Sequence, residues 1–231
     1  MTFSGHTPDS REYRRLILGL FFAGIATFAQ LYSPQAVLPQ IAADLDVGPA
    51  TAALAVSAAT LGLAAAVIPW SVVADRAGRV PAMAVGILAA TVLGLAAPFS
   101  QEIAVLLVLR FAEGVALGAV PAVALVYLNE EVSRRHAAAA AGSYIAGTTV
   151  GGLLGRVVSG VVADLSDWRT GVWIAGALCA GSAALFLWLA RGHEDSCPVG
   201  CARRAGPASA RACSPHCGPR SSSPSTRRVS C

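Results

Sequence analysis

The chain has 231 residues, 55% of them hydrophobic and 13% charged, with a mean hydropathy of +0.61. A water-soluble domain carries about 25% charged residues, so there is too little polar surface here to cover a soluble fold, and the chain falls in the membrane class. Residues 1–190 hold 10 Arg and 11 acidic residues while 191–231 hold 7 Arg and 2 acidic residues; the formal net charge of +4 therefore sits in one short tail, and nucleic acid binding is a poor reading of it.

Hydrophobic runs recur at 16–38, 50–74, 80–99, 103–128, 138–163 and 170–190. Each is near or above the ~20 residues that cross a hydrocarbon core, and each must be helical because lipid satisfies no backbone group. The first run follows Arg11, Arg14 and Arg15, as a signal peptide would, but it continues to Leu38 and reads as a retained span. The runs predict an all-α membrane protein of six transmembrane helices. Its parts are a leading segment 1–15, a bundle 16–190 and an Arg/Ser/Pro/Cys-rich tail 191–231 too poor in large apolar residues to build a core.

Arginines in the short loops set the orientation. Arg11, Arg14, Arg15, Arg76, Arg79, Arg134 and Arg135 fall on one side and only Arg169 on the other. The N-terminus and the tail are thus expected in the cytoplasm, with the chain multi-pass in the inner or plasma membrane. Val72-Val73-Ala74-Asp75 ends the second span and Val161-Val162-Ala163-Asp164 the fifth, in opposite directions. An inverted 3+3 repeat would give this pattern, and so would coincidence in an Ala/Val-rich chain.

After the second span, Ser71-Val-Val-Ala-Asp75-Arg76-Ala-Gly78-Arg79-Val80-Pro81 places a carboxylate beside two arginines, with Gly78 allowing a tight turn. Asp75 is expected either to accept backbone N–H groups at the next helix or to pair with Arg. In the fourth span Arg110 and Glu113 share a helix face and can pair. Charges at that depth cost about 2.5–3.5 kcal/mol each on insertion scales, which marks them as functional or as a self-neutralised packing pair. The fifth span carries Gly147, Gly151 and Gly155 at a spacing of four, a face that lets helices approach closely. Arg156 follows at a depth similar to Arg110; it either binds an anionic group or Glu113, or snorkels outward. Gln30, Tyr32, Ser33 and Gln35 make the outer half of the first span polar, and Trp168 opens the sixth as an interfacial anchor.

These motifs resemble those of the major facilitator superfamily (MFS). The loop is similar to the signature G-x3-D-R-x-G-R-R, matched at Asp75, Arg76, Gly78 and Arg79, with Ser71 and Val80 departing from it. The fourth span resembles R-x2-q-G-x-g, matched at Arg110 and Gly114, with Glu113 in place of the usual Gln and the next small residue at Gly118. The glycine-rich fifth span is placed like the antiporter motif, without its proline. The resemblance covers about 16–190 and implies the N-terminal half of an MFS fold, nearest the bacterial drug or sugar efflux branch. It implies a gating latch in the loop, proton coupling or substrate contact at Arg110 and Glu113 in a central cavity, and substrate contacts at Gln30 and Tyr32.

The expected function is proton-coupled efflux of a small molecule by a transporter cut off after helix six, with no cofactor. The alternatives are an inactive fragment, or a non-transporting bundle that acts by pairing with a second half. Cys197, Cys201, Cys213, Cys217, His193 and His216 have metal-like spacing but no hydrophobic support, so no metal site is expected. A translated frameshift is the expected origin of the abrupt composition of the tail. No phosphate loop and no nucleophile–His–acid arrangement supports an enzyme.

Overall fold

The computed structural model describes residues 11–132 and 136–191. Arg134, Arg135 and the tail with its cysteines lie outside the described residues. Eight α-helices follow in order: α1 (Arg11–Tyr32), α2 (Leu38–Asp44), α3 (Pro49–Ala77), α4 (Arg79–Ala96), α5 (Ile103–Leu117), α6 (Ala119–Glu131), α7 (Ala137–Leu165) and α8 (Trp168–Arg191), with no strand among the described residues. They make six segments long and apolar enough to span a membrane: Tyr13–Asp44, Pro49–Ala77, Arg79–Phe99, Ile103–Leu128, Ala137–Leu165 and Trp168–Leu189. The described residues thus form an all-α bundle of six membrane-spanning segments.

Two spans are interrupted where proline dictates it. Pro34 has no N–H and its ring crowds the carbonyl four residues back; here the first span tightens into a 3-10 turn, Ser33–Val37, before α2 resumes. The span is therefore longer than the 16–38 expected. In the fourth span α5 and α6 meet at Gly118, just before Pro121.

The up-and-down path sorts the core into layers. Tyr13, Leu16, Ala74, Met83, Leu128, Ala140 and Phe186 cluster where the arginine-rich loops lie. Val37, Ile41, Ala52, Ala97, Leu106, Ala163 and Trp168 cluster at the opposite end, and Leu31, Ala59, Ala90 and Leu117 lie between.

Glycine sets the two closest helix pairs. Cβ atoms at Gly147, Gly151 and Gly155 of α7 would run into the α1 backbone at Phe21, Ile25 and Ala29. A Cβ at Gly114 of α5 would overlap the Ala59 carbonyl of α3, one at Gly62 would overlap the Phe111 carbonyl, and one at Gly118 would lie 3.0 Å from the Leu63 carbonyl. These approaches are the small-residue packing that joins helices in lipid. The pairings are spans one with five and two with four. Exchanging the first three spans for the last three turns one pair into the other, as an inverted repeat requires. Asp75 and Asp164 close α3 and α7, the matching helices of the two repeats.

Candidate functional site

Proline creates the central site by freeing carbonyls. With Pro34 unable to donate, the Gln30 carbonyl loses its helical partner and the following carbonyls shift register. In hydrocarbon each such group needs another donor. Arg110 supplies two: Nη2 donates to the Leu31 carbonyl at 2.8 Å, and Nη1 reaches the Gln30 carbonyl at 3.5 Å. Nη1 also donates to Glu113 Oε2 at 2.5 Å, an i,i+3 ion pair within α5. Ser159 of α7 donates to the Ser33 carbonyl at 2.6 Å. The break in the first span is thus tied to the fourth and fifth spans.

The pair is sealed: Arg110 is 1% exposed and Glu113 0%. Gly94 of α4 makes room for it, since a Cβ there would overlap the Gln30 amide and lie 2.9 Å from Glu113 Oε1. Arg110 and Glu113 come together as expected, but they face the first span inside the bundle and do not line an open cavity. The freed carbonyls of the first span are what draw Arg110 inward. Gln30 is also buried and donates to the Ala90 carbonyl at 2.6 Å. Its amide is spent on α4 and is not free for a solute in this arrangement.

Arg156 behaves differently. It makes no ion pair with Glu113, whose Oε2 is taken by Arg110. Its guanidinium lies over the Tyr32 ring, 4.5 Å from the centroid, and its Nε donates to Gln35 Oε1 at 2.7 Å. Gly152, one turn before Arg156, leaves space for that ring, for a Cβ there would sit 3.3 Å from Tyr32 Cδ2. Tyr32 at the end of α1, Gln35 in the 3-10 turn and Arg156 of α7 therefore form a second group, in which Gln35 and Arg156 are exposed and Tyr32 is half-buried.

In the arginine-rich loop Asp75 at the end of α3 pairs with Arg79 at the start of α4 at 2.6 Å, with the carboxylate side chain 63% exposed. Gly78 separates α3 from α4 with φ +102°, a left-handed conformation that glycine adopts without strain. No side chain caps α4; of the two roles expected for Asp75 the structure shows the pair with an arginine, Arg79, because the carboxylate lies in the last turn of α3 and not ahead of α4. Arg76 is exposed in the same turn.

At the opposite end an unforeseen clasp joins three loops. Arg169 Nη1 donates to Asp44 Oδ2 at 2.5 Å, Nε to the Pro98 carbonyl at 3.0 Å and Nη2 to the Ser100 carbonyl at 3.2 Å. Trp168 Nε1 donates to the same Asp44 oxygen at 3.2 Å. Trp168 is buried in the end cluster and is not a headgroup anchor. The sequence signal available for this clasp was the lone arginine on the acidic side. Asp167 accepts the Thr170 backbone N–H at 2.6 Å, which with the nearby Arg169 holds its carboxyl below its ordinary range.

The family model described as Major Facilitator Superfamily matches residues 18–209, so the match runs past residue 190, where the resemblance was expected to stop. The chain is 34% identical over 174 residues to the uncharacterized MFS-type transporter YybF of Bacillus subtilis, covering 75% of this chain and 43% of YybF. It is 34% identical over 175 residues to the inner membrane transport protein YnfM of Escherichia coli, covering 76% and 42%. The multi-drug resistance efflux pump PmrA of Streptococcus pneumoniae is 29% identical over 183 residues, 78% of this chain and 45% of PmrA. The chain spans less than half the length of these relatives, in keeping with an N-terminal six-helix half. By the family match and the YybF and YnfM likenesses, the chain belongs to the major facilitator superfamily.

Proposed function

We propose that this chain forms the N-terminal six-helix wall of a proton-coupled small-molecule exporter of the plasma (inner) membrane, with its arginine-rich end in the cytoplasm. The sealed Arg110–Glu113 pair at hydrocarbon depth carries the reading. Ionised, Glu113 neutralises Arg110; protonated, it gives up that attraction and loosens the grip of Arg110 on the Gln30 and Leu31 carbonyls. A proton at Glu113 would thus be felt at the break in the first span, beside the Tyr32 face. PmrA, named as an efflux pump, supports the direction. Asp75, Arg76, Gly78 and Arg79 would act as a gate at the cytoplasmic end.

The test is an imposed pH gradient across proteoliposomes holding the chain, with radiolabelled benzenesulfonate, an anion at every pH used, as the transported probe and a pH-sensitive dye inside. Movement of the probe should carry protons in the wild type and lose proton coupling in Glu113→Gln. Coupling that survives that substitution overturns the role of Glu113. The coverage of less than half of YybF and YnfM favours a second reading, in which the bundle is inactive alone and works by pairing with another half. Proteoliposomes silent with the chain alone, but active after co-reconstitution with a C-terminal six-helix half, would support it.

A further inference from the structure

Beyond Ile145, which is itself exposed, the surface of α7 has a small, polar flank and an apolar one, with exposed Leu153 and Val157 between them. At 3.6 residues per turn, Thr149, Gly152, Arg156 and Gly160 fall within about 80° of each other, on the side that meets Tyr32 and Ala36 of the first span. Leu154, Val161 and Leu165 lie on the other flank and are exposed, as lipid contacts are. Arg156 is about 14 Å from the end of α7 at roughly 1.5 Å per residue, within the hydrocarbon depth of the bundle. A charge on the small, polar flank at that depth belongs to a water-accessible wall.

Its surroundings leave that charge uncompensated. Among the described residues no carboxylate lies within ion-pair distance of Arg156, in contrast to Arg110, Arg79 and Arg169. Gln35 takes the Nε hydrogen and Tyr32 covers one face of the guanidinium. Both contacts fix the plane of the fork, and neither uses its Nη1 and Nη2 ends. Phe28 packs against Tyr32 with ring centroids 6.1 Å apart and the planes tilted by 43°, extending the apolar surface beside the cation. A planar fork with free paired donors fits a carboxylate two-pronged, and an apolar body would rest on the rings.

We infer that Arg156, pinned by Tyr32 and Gln35, is the anion-recognising group of the transport wall, and that the substrates are small amphiphilic carboxylates. This rests on the transporter reading above and adds the substrate class to it. The same oxyanion chemistry is offered by the phosphate of an outer-leaflet lipid, so the test separates the two. The full chain is placed in phosphatidylcholine nanodiscs and titrated with radiolabelled benzoate and, separately, with benzylamine, which has the same ring and the opposite charge.

Benzoate should bind saturably and benzylamine should not. Arg156→Gln should weaken benzoate at least about tenfold, the loss of a charged two-pronged contact. Arg156→Lys, which keeps the charge but not the fork, should lose less. Circular dichroism and elution volume unchanged in both variants confirm their fold. Equal benzoate affinity in wild type and Arg156→Gln overturns the proposal, as does a preference for benzylamine. Absence of saturable benzoate binding in phosphatidylcholine, which would follow if lipid phosphate held the guanidinium, also overturns it. Binding is read without transport, so a failure of proton coupling at Glu113 and a failure of anion recognition at Arg156 show up in different assays.

Discussion

Arg110 and Arg156 lie at similar depth in the half of the bundle away from the arginine-rich end, and both lean on the first span, yet their surroundings differ in every other respect. Arg110 is sealed, neutralised by Glu113 and spent on backbone carbonyls. Arg156 is exposed, lacks an acidic partner among the described residues, and touches side chains only. The contrast teaches that depth alone does not assign a role to an intramembrane charge. A cation enclosed with its counter-ion repairs a helix break, whereas a cation held open by neutral groups leaves its paired donors free.

The sharpest way to break the comparison is to remove the frame that both arginines share. Gly155→Leu would drive a side chain into the Ala29 backbone and force the first span away from α7. Destabilisation beyond about 4 kcal/mol is expected, seen as loss of the monodisperse elution peak in detergent. Gly142→Leu, where nothing lies within 4 Å of the added Cβ, should elute as the wild type.

The next effect concerns the sealed pair. Glu113→Ala leaves Arg110 buried without its counter-ion, at an expected cost of about 3–5 kcal/mol. Joint replacement by Arg110→Met and Glu113→Leu should recover part of this, since it removes both buried charges. It still strands the Leu31 carbonyl, so recovery should be incomplete. Thermal unfolding in detergent measures all three variants. If Glu113→Ala were as stable as the wild type, the pair would not be holding Arg110 in place.

Arg156→Gln should change stability by less than about 1 kcal/mol, as for an exposed charge, while altering anion binding. A large stability loss would move Arg156 into the structural class with Arg110.

The smallest effect serves as a surface baseline. The depressed Asp167 carboxyl contributes stability that is present above its unfolded pKa and is lost as pH falls through the lower folded value. The melting temperature of Asp167→Asn should therefore lie below that of the wild type at pH 7, and the gap should close as the solution is acidified through the carboxylate range. A gap independent of pH would show that the Thr170 contact does not depend on the charge.

How far the site could be read from sequence differed from residue to residue. Arg110 and Glu113 were recognisable because an i,i+3 pair of opposite charges in an apolar run has few bland explanations. Gly147, Gly151 and Gly155 were recognisable because their spacing alone places them on one face. The inward aim of Gln30 was not legible, since a helix sequence does not say which neighbour its polar face meets. Nor was the clasp of Asp44 with Trp168 and Arg169, which joins residues 124 and 125 positions apart.

By itself the sequence determined the number of spans, their up-and-down order and the arginine-rich end. Those properties follow from local hydropathy and charge, which a bilayer reads segment by segment. Only the tertiary structure decided which charges are sealed and which stay open. That depends on where Pro34 frees carbonyls and which helix, brought close by glycine, arrives to satisfy them.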